Sequence, residues 1–599
     1  MTANIDDRVV DIGQRVPTLP LSMEAPIALR SDEPEPLRSE ISVRLRRGAG
    51  HGKGPDHPPV PQPSTGPDLP NPRICSFNEL RIAPRSDVRH AHIYHRDRAQ
   101  GEVMSSSTSE SVRTPDITTS ELLIGGAATP AEGGRYFTTT EAVTGAPIAD
   151  VAAASVADAE RAVEAAAAAL PEWAAVSPGK RRAILQRAAA LLEERASELV
   201  PLMGREMGAT APWAGFNVHV ATGMVQEAAA QTYAMVGDTI PSDVPGLFAM
   251  GVRQPAGVVI GIAPWNAPLI LGVRAVVMPL AFGNTVVLKA SEQAPLTQAM
   301  IVRTFIDAGV PAGVINLISN APEDAPDVVE ALIAHPSTAR VNFTGSTKIG
   351  RVIGEIAGRH LKRVVLELGG KAPMLVLADA DLEKAAAAAN FGAFMNQGEI
   401  CMSTERLIVD TAVADAFTDK LVARASRLTV GAPDDPGSQL GPLVHAGARD
   451  HVIGLIEDAK AKGAQVVCGG TYDGLYVQPT VLRGVTSEMR IYAEESFGPV
   501  VSIIEVDGTE AAIDSANDSE YGLSAAVFTE STSTGLQVAQ RIRSGICHIN
   551  GPTVHDEAHM PFGGVGASGW GRFGSKAALE EFTELRWITV QTADRHYPI

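Results

Sequence analysis

Cys401 lies in the run Asn396-Gln397-Gly398-Glu399-Ile400-Cys401-Met402-Ser403, and a thiolate is the strongest nucleophile that side chains offer near neutral pH. A lone cysteine is also a common small apolar residue of a core, so the run alone leaves both readings open. The other cysteines compete poorly. Cys468 sits among the small residues Val466-Val467-Cys468-Gly469-Gly470, Cys547 in the strand-like Gly545-Ile546-Cys547-His548-Ile549, and Cys75 in a segment unlike the rest of the chain. Glu367 ends an apolar run just before Leu368-Gly369-Gly370, where a carboxyl is partly desolvated and its pKa rises toward that of a general base. Asn266 follows Ala263-Pro264-Trp265; its amide serves either as a donor to a developing oxyanion or as an ordinary helix N-cap. Gly345-Ser346-Thr347-Lys348-Ile349-Gly350 joins a strand to a helix, and helix N-terminal amides suit a pyrophosphate.

These residues need elements to hold them. Apolar, β-rich runs at 257–263, 285–289, 314–318, 340–343 and 364–368 alternate with helical stretches near 267–282, 295–308, 324–334 and 347–360. Runs that are continuously apolar indicate strands covered on both faces, hence a doubly wound parallel sheet with ligands at the strand C-termini. A second α/β region follows, with strands expected at 374–378, 406–409, 499–506 and 523–528. Upstream, Ser155 N-caps an alanine-rich helix that we expect Pro171 to end. A second helix is expected over 178–199, and a third presents Trp213, Phe216, Asn217 and Val220 on one face.

The segments Ala263–Pro268, Phe343–Gly350, Leu366–Lys371 and Asn396–Arg406, in that order and at those distances, resemble the NAD(P)-dependent aldehyde dehydrogenase superfamily from about Asp116 onward. Within it, Trp213–His219, Cys401–Val409 and His548–Glu557 resemble the salicylaldehyde, vanillin and benzaldehyde dehydrogenase branch. The resemblance implies an α/β fold: an NAD-binding domain (118–236 and 256–367), a catalytic domain (368–582) and oligomerisation strands (237–255 and 583–599). It implies that Cys401 attacks the aldehyde, that Asn266 and the Cys401 amide hold the oxyanion, and that Glu367 activates water to hydrolyse the thioester. Relatives that pass the acyl group to coenzyme A commonly lack this glutamate.

For the cofactor, Ile262, Trp265, Lys289, Glu292, Gly345, Ser346, Gly350, Leu368, Glu495 and Phe497 match family positions. An acidic Glu292 beside the ribose repels a 2′-phosphate, which favours NAD over NADP. Ser319-Asn320-Ala321-Pro322 departs from the family's glycine-containing loop, and Glu399 replaces a more usual glutamine two residues before a thiol that must ionise. Trp213 and Ile270 are expected along the substrate channel with Arg274, which faces either a phenolic hydroxyl or solvent. His219, His555 and His559 fit no ligand spacing, and the reaction needs no metal. The expected substrate is an aromatic aldehyde, the alternatives being an aliphatic aldehyde or semialdehyde, or a scaffold without catalysis. A homodimer or homotetramer is implied.

Composition sets the bounds. A net charge of −19 argues against a nucleic-acid partner, no run approaches the length of a membrane span, and four scattered cysteines fit the reducing cytoplasm. Residues 1–103 hold 14 of the 41 prolines and balance 14 basic against 14 acidic residues, without periodicity. We expect 1–117 to be a disordered extension, with Met104 as the biological start.

Overall fold

In the computed structural model, residues 118–599 are described; the expected disorder of the extension and the start at Met104 lie outside the described residues. The expected strands all form. Val258–Ile262, Thr285–Lys289, Ile315–Ile318, Thr338–Thr344 and Arg363–Glu367 run parallel in the spatial order 363, 338, 258, 285, 315. The order reverses between Val258–Ile262 and Thr338–Thr344, so the C-terminal ends of these two strands flank the switch point where such sheets bind ligands. Antiparallel strands flank this set, Gly569–Trp570 on one side and Leu122–Ile124 followed by Ala127–Thr129 on the other.

Alternate residues of each central strand enter different cores. Val259 packs with the helices Pro268–Ala281 and Pro295–Asp307, whereas Val258, Ile260 and Ile262 pack with Val156–Ala175, Ala325–Ala334 and Thr347–Arg359. Both faces are covered, which is why the sequence reads as continuous apolar runs. Pro268–Ala281 is buried along its whole length, as a helix apolar on every side must be.

The second sheet orders 465, 480, 500, 404, 372, 524 and 546, parallel except for the edge strand Gln465–Cys468. A third sheet pairs Thr583–Gln591 antiparallel with Leu247–Pro255, and Asp238–Ile240 with the same strand.

Two helix boundaries depart from expectation. Ser155 caps as expected, its Oγ accepting from the Asp158 amide while Asp158 accepts from the Ser155 amide. The helix, however, continues through Pro171 to Ala175. A proline near a helix end costs one carbonyl bond but keeps a helical φ, and Trp173, 1% exposed, anchors the last turn by donating to the Leu280 carbonyl at 3.2 Å. The expected helix 178–199 is two helices, Pro178–Glu194 and Ala196–Met207, parted at Arg195, whose guanidinium reaches Thr304 and Asp307 on a neighbouring helix. No helix among the described residues is long and apolar enough to cross a membrane.

Candidate active site

The nucleophile loop is built on unusual backbone. After the helix Leu382–Phe394, Asn396 and Gln397 both adopt left-handed conformations (φ 48° and 54°), followed by Gly398 at φ 74°. Non-glycine residues reach this region at a cost and cluster at functional sites. The loop is held by fixed partners. Gln397 accepts from the Gly441 amide at 2.8 Å and donates to the Pro442 carbonyl at 3.2 Å, and Ser403 Oγ donates to the Gly398 carbonyl at 3.0 Å. Gly370 is needed beside it, since a β-carbon there would collide with the Cys401 carbonyl oxygen.

Asn266 does not cap the helix that follows it. Pro268–Ala281 starts without a side-chain cap, while Asn266 Nδ2 donates to the Glu399 carbonyl at 2.9 Å. Asn396 Nδ2 donates to the same carbonyl and to that of Asn266, each at 3.4 Å, and the Trp213 indole donates to the Asn266 carbonyl at 3.1 Å. Buried donors from three separate segments thus converge beside Cys401.

The Cys401 thiol is half-buried and its pKa is pushed up, first by burial and next by the Glu367 carboxylate, with Arg274 pulling it down and Glu495 and Asp556 pushing it up. Glu367 is 1% exposed, and among the described residues no side chain donates a hydrogen bond to either of its oxygens. Burial raises its pKa to about 8, against the pull of Arg274 and Arg572. The Glu367 carboxyl is thus close enough to act on the thiol electrostatically, and its raised pKa suits a general base near neutral pH.

Glu399 is fully buried and accepts from the Val444 amide at 3.1 Å, and burial lifts its pKa well above the usual range. Burial thus favours the uncharged carboxyl, which has the shape of a glutamine side chain, over a carboxylate two residues from the thiol.

Trp213 and Ile270 are buried, and Trp213 stacks on half-buried Phe216 with centroids 5.5 Å apart. Arg274 is buried rather than solvated: it pairs with Asp556, and the Phe562 ring lies 4.1 Å from its guanidinium carbon. His219 is exposed, and exposed His555 bonds Glu557 at 2.9 Å with His559 at 3.9 Å. Among the described residues no group of His, Cys, Asp and Glu side chains is arranged to hold a metal.

Of the residues that the resemblance assigns to a dinucleotide, Ile262, Lys289, Gly345 and Leu368 lie at or just beyond the C-terminal ends of parallel strands. Gly345, Ser346 and Gly350 open the helix Thr347–Arg359, with exposed Ser346 accepting from the Ile349 amide. A β-carbon on Gly350 would run into Leu368, and one on Gly345 into the Phe343 ring, so both glycines keep this cradle open. At the ends of neighbouring strands, Lys289 pairs with Glu292, which also accepts from Asn320 Nδ2 at 3.0 Å. The departure at Ser319-Asn320 thus fixes the acidic side chain in place. Ile262 ends the switch-point strand, Trp265 lies edge-on to Phe497 with centroids 5.8 Å apart, and Glu495 accepts from the Gly370 amide at 2.8 Å.

Sequence reasoning missed what positions these last two. Buried Lys371 pairs with Glu405, whose carboxylate also accepts from the amides of Ser496 and Phe497. This pins 495–497 to the strand Thr404–Asp410 and supports the left-handed φ of Phe497 (46°). The signal available was the adjacent charges Glu405 and Arg406, which lead into the apolar run Leu407-Ile408-Val409 of the same strand.

Residues 129–588 match the aldehyde dehydrogenase family. The chain is 60% identical to a vanillin dehydrogenase of a Pseudomonas species over 478 residues, 80% of this chain and 99% of that protein. It is 43% identical to a benzaldehyde dehydrogenase [NAD(+)] of Pseudomonas putida over 443 residues, 74% of this chain and 90% of that protein. The crystal structure of a salicylaldehyde dehydrogenase from Pseudomonas putida G7 complexed with salicylaldehyde superposes with a TM-score of 0.79 at 43% identity, covering 80% of this chain and all of that one.

Proposed function

Because the chain belongs to the aldehyde dehydrogenase family, we propose that it oxidises an aromatic aldehyde of the vanillin, salicylaldehyde or benzaldehyde type to the carboxylic acid with NAD. The observation that carries this reading is the convergence of Asn266, Glu367 and the strained loop on Cys401.

Cys401 Sγ attacks the carbonyl carbon as its proton leaves, Glu367 being the acceptor whose pKa lies near the working pH. The carbonyl oxygen takes up negative charge, stabilised by Asn266 Nδ2 and the Cys401 amide. NAD, when bound, supplies the hydride acceptor. Lys289 and Glu292 would hold its adenosine ribose, the first-turn amides of Thr347–Arg359 its pyrophosphate, and Glu495 and Phe497 its nicotinamide ribose and ring, walled by Ile262, Trp265 and Leu368. The carboxylate of Glu292 opposes a 2′-phosphate, which supports NAD over NADP. Glu367 gives the thiol's proton up to bulk water before hydrolysis; ionised again, it takes a proton from the attacking water, the hydroxide adds to the thioester, the C–S bond breaks, and the departing Cys401 thiolate recovers a proton from Glu367. Trp213 and Ile270 offer flat apolar walls for a ring.

We also propose the division into an NAD-binding part (118–236 and 256–367), a catalytic part (368–582) and oligomerisation segments (237–255 and 583–599), and a cytoplasmic homodimer or homotetramer. The exposed Leu585, Trp587 and Val590 on an edge strand support self-association.

Absorbance of NADH across vanillin, salicylaldehyde, benzaldehyde, acetaldehyde and succinic semialdehyde tests the substrate class. The aromatic aldehydes are expected to exceed the aliphatic ones in kcat/KM by about a hundredfold or more, a gap of nearly 3 kcal/mol. A preference for succinic semialdehyde would overturn the aromatic reading.

A further inference from the structure

Arg274 and Asp556 come from segments 282 residues apart, and their side chains are 5% and 8% exposed. Arg274 lies on the wholly buried helix Pro268–Ala281, with Phe562 and Phe573 against its guanidinium at 4.1 and 5.9 Å. The two side chains share the wall of a cavity of about 20 Å³ with Met278, Met560 and Phe562. Their fields reach the reacting groups, acting on both Cys401 and Glu367 with opposite signs.

A buried ion pair is a poor source of stability, because desolvating the two charges offsets most of their attraction and an apolar pair often serves as well. Its place beside the reacting groups needs another reason, and the charge on the guest molecule provides one. A carboxylated aldehyde must shed water from its carboxylate to enter, which is tolerated only against an unpaired cation. Arg274 has already given its charge to Asp556. Arg572, the other cation acting on Glu367, donates to the carbonyls of Gly564 and Gly571 and is not part of the cavity wall.

We propose that Asp556 is a specificity-determining residue: by saturating Arg274 it keeps the substrate channel electrically neutral, admitting uncharged aromatic aldehydes and excluding those that carry a carboxylate. The proposal rests on the aromatic-aldehyde reading above and adds to it a rejection mechanism, since specificity is a difference between guests.

The test compares kcat/KM, with NAD present, for 2-, 3- and 4-formylbenzoate against the corresponding formylbenzamides, which are close neutral isosteres. The ratio of acid to amide is expected to lie below about 0.1 in the wild type. It should rise at least tenfold at one or more ring positions in Asp556→Asn and fall again in Arg274→Gln/Asp556→Asn, where no cation remains. A purely structural role for Asp556 would weaken both members of each pair alike. Should Asp556→Asn fail to fold, Asp556→Ser, which leaves room for water, takes its place. For a variant that folds without turnover, the same ratio is read from dissociation constants by tryptophan fluorescence. A wild-type ratio at or above one, or a ratio unchanged within twofold at all three positions in a folded variant, overturns the proposal. A wild type inert toward the amides, benzaldehyde and vanillin alike removes the aromatic reading on which it stands.

Discussion

The side-chain amide of Asn266 donates to the carbonyl of Glu399, 2.9 Å away and two residues before Cys401. The bond ties the strand-end bend at 264–267 to the nucleophile loop, so the proposed oxyanion donor and the thiol are positioned by one contact. Replacing Asn266 by Ala is expected to lower kcat by about 10²–10³, roughly 3–4 kcal/mol of transition-state stabilisation. The stability cost of the lost hydrogen bond should be only about 1 kcal/mol. Steady-state rates and a thermal melt on the same protein separate the two effects; a lower melting temperature with kcat intact would leave Asn266 a structural tie alone.

Glu367 links activity and stability to pH in opposite directions. Its pKa is raised from 4.5 to about 8, so below pH 4.5 the carboxyl is neutral in both folded and unfolded chains and its stability contribution is fully present. From pH 4.5 to 8 the unfolded chain ionises first, and stability falls with rising pH, by at most about 5 kcal/mol from this group. Activity that needs the base form rises through the same window. Glu367→Gln should therefore melt above the wild type at pH 8 and converge with it near pH 5, while losing about a hundredfold or more in kcat. Melts and rates across pH 5–9 check both signs.

Burial pushes the Glu399 carboxyl toward its uncharged form, and it accepts from the Val444 amide, a role the carbonyl oxygen of a glutamine can fill. Glu399→Gln should keep kcat within about threefold and melt higher than wild type at pH 8, because burial no longer opposes an ionisable group. Glu399→Ala strands the Val444 amide and should destabilise by about 1–3 kcal/mol. Equal behaviour of the Gln and Ala variants would contradict this account.

Glu405→Ala removes the carboxylate that pairs with buried Lys371 and the acceptor for the Ser496 and Phe497 amides. A cost of about 3–5 kcal/mol is expected, together with a rise in KM for NAD larger than the rise for the aldehyde, since Glu495 and Phe497 lose their support. Chemical denaturation and separate titrations of the two substrates measure these.

What the sequence revealed follows from how local each feature is. Val258–Ile262 and Thr285–Lys289 were legible because both faces of their sheet are buried, leaving no polar alternation to confuse. Gln465–Cys468 was missed because it is a four-residue, exposed to half-buried edge strand, too short to show a periodicity. Pro171 was read by its local effect, whereas the distant anchor of Trp173 on Leu280 decided the helix end. Cys401, Glu367 and Asn266 were picked out only when the four segments that carry them were read together, in order and spacing, since each alone leaves a plain structural reading open. The choice between cap and donor for Asn266, and between phenol and solvent for Arg274, depended on partners 133 and 282 residues away. No window along the chain contains those pairs.

The central claim is that Cys401 forms a covalent acyl intermediate with an aromatic aldehyde. Acid quenching of the enzyme during turnover of vanillin with NAD, followed by peptide mass mapping, tests it directly. The account predicts a vanilloyl thioester on the peptide containing Cys401, absent from the Cys401→Ala protein, which also forms no NADH. An adduct on Cys468 or Cys547, or undiminished NADH formation by Cys401→Ala, would contradict it.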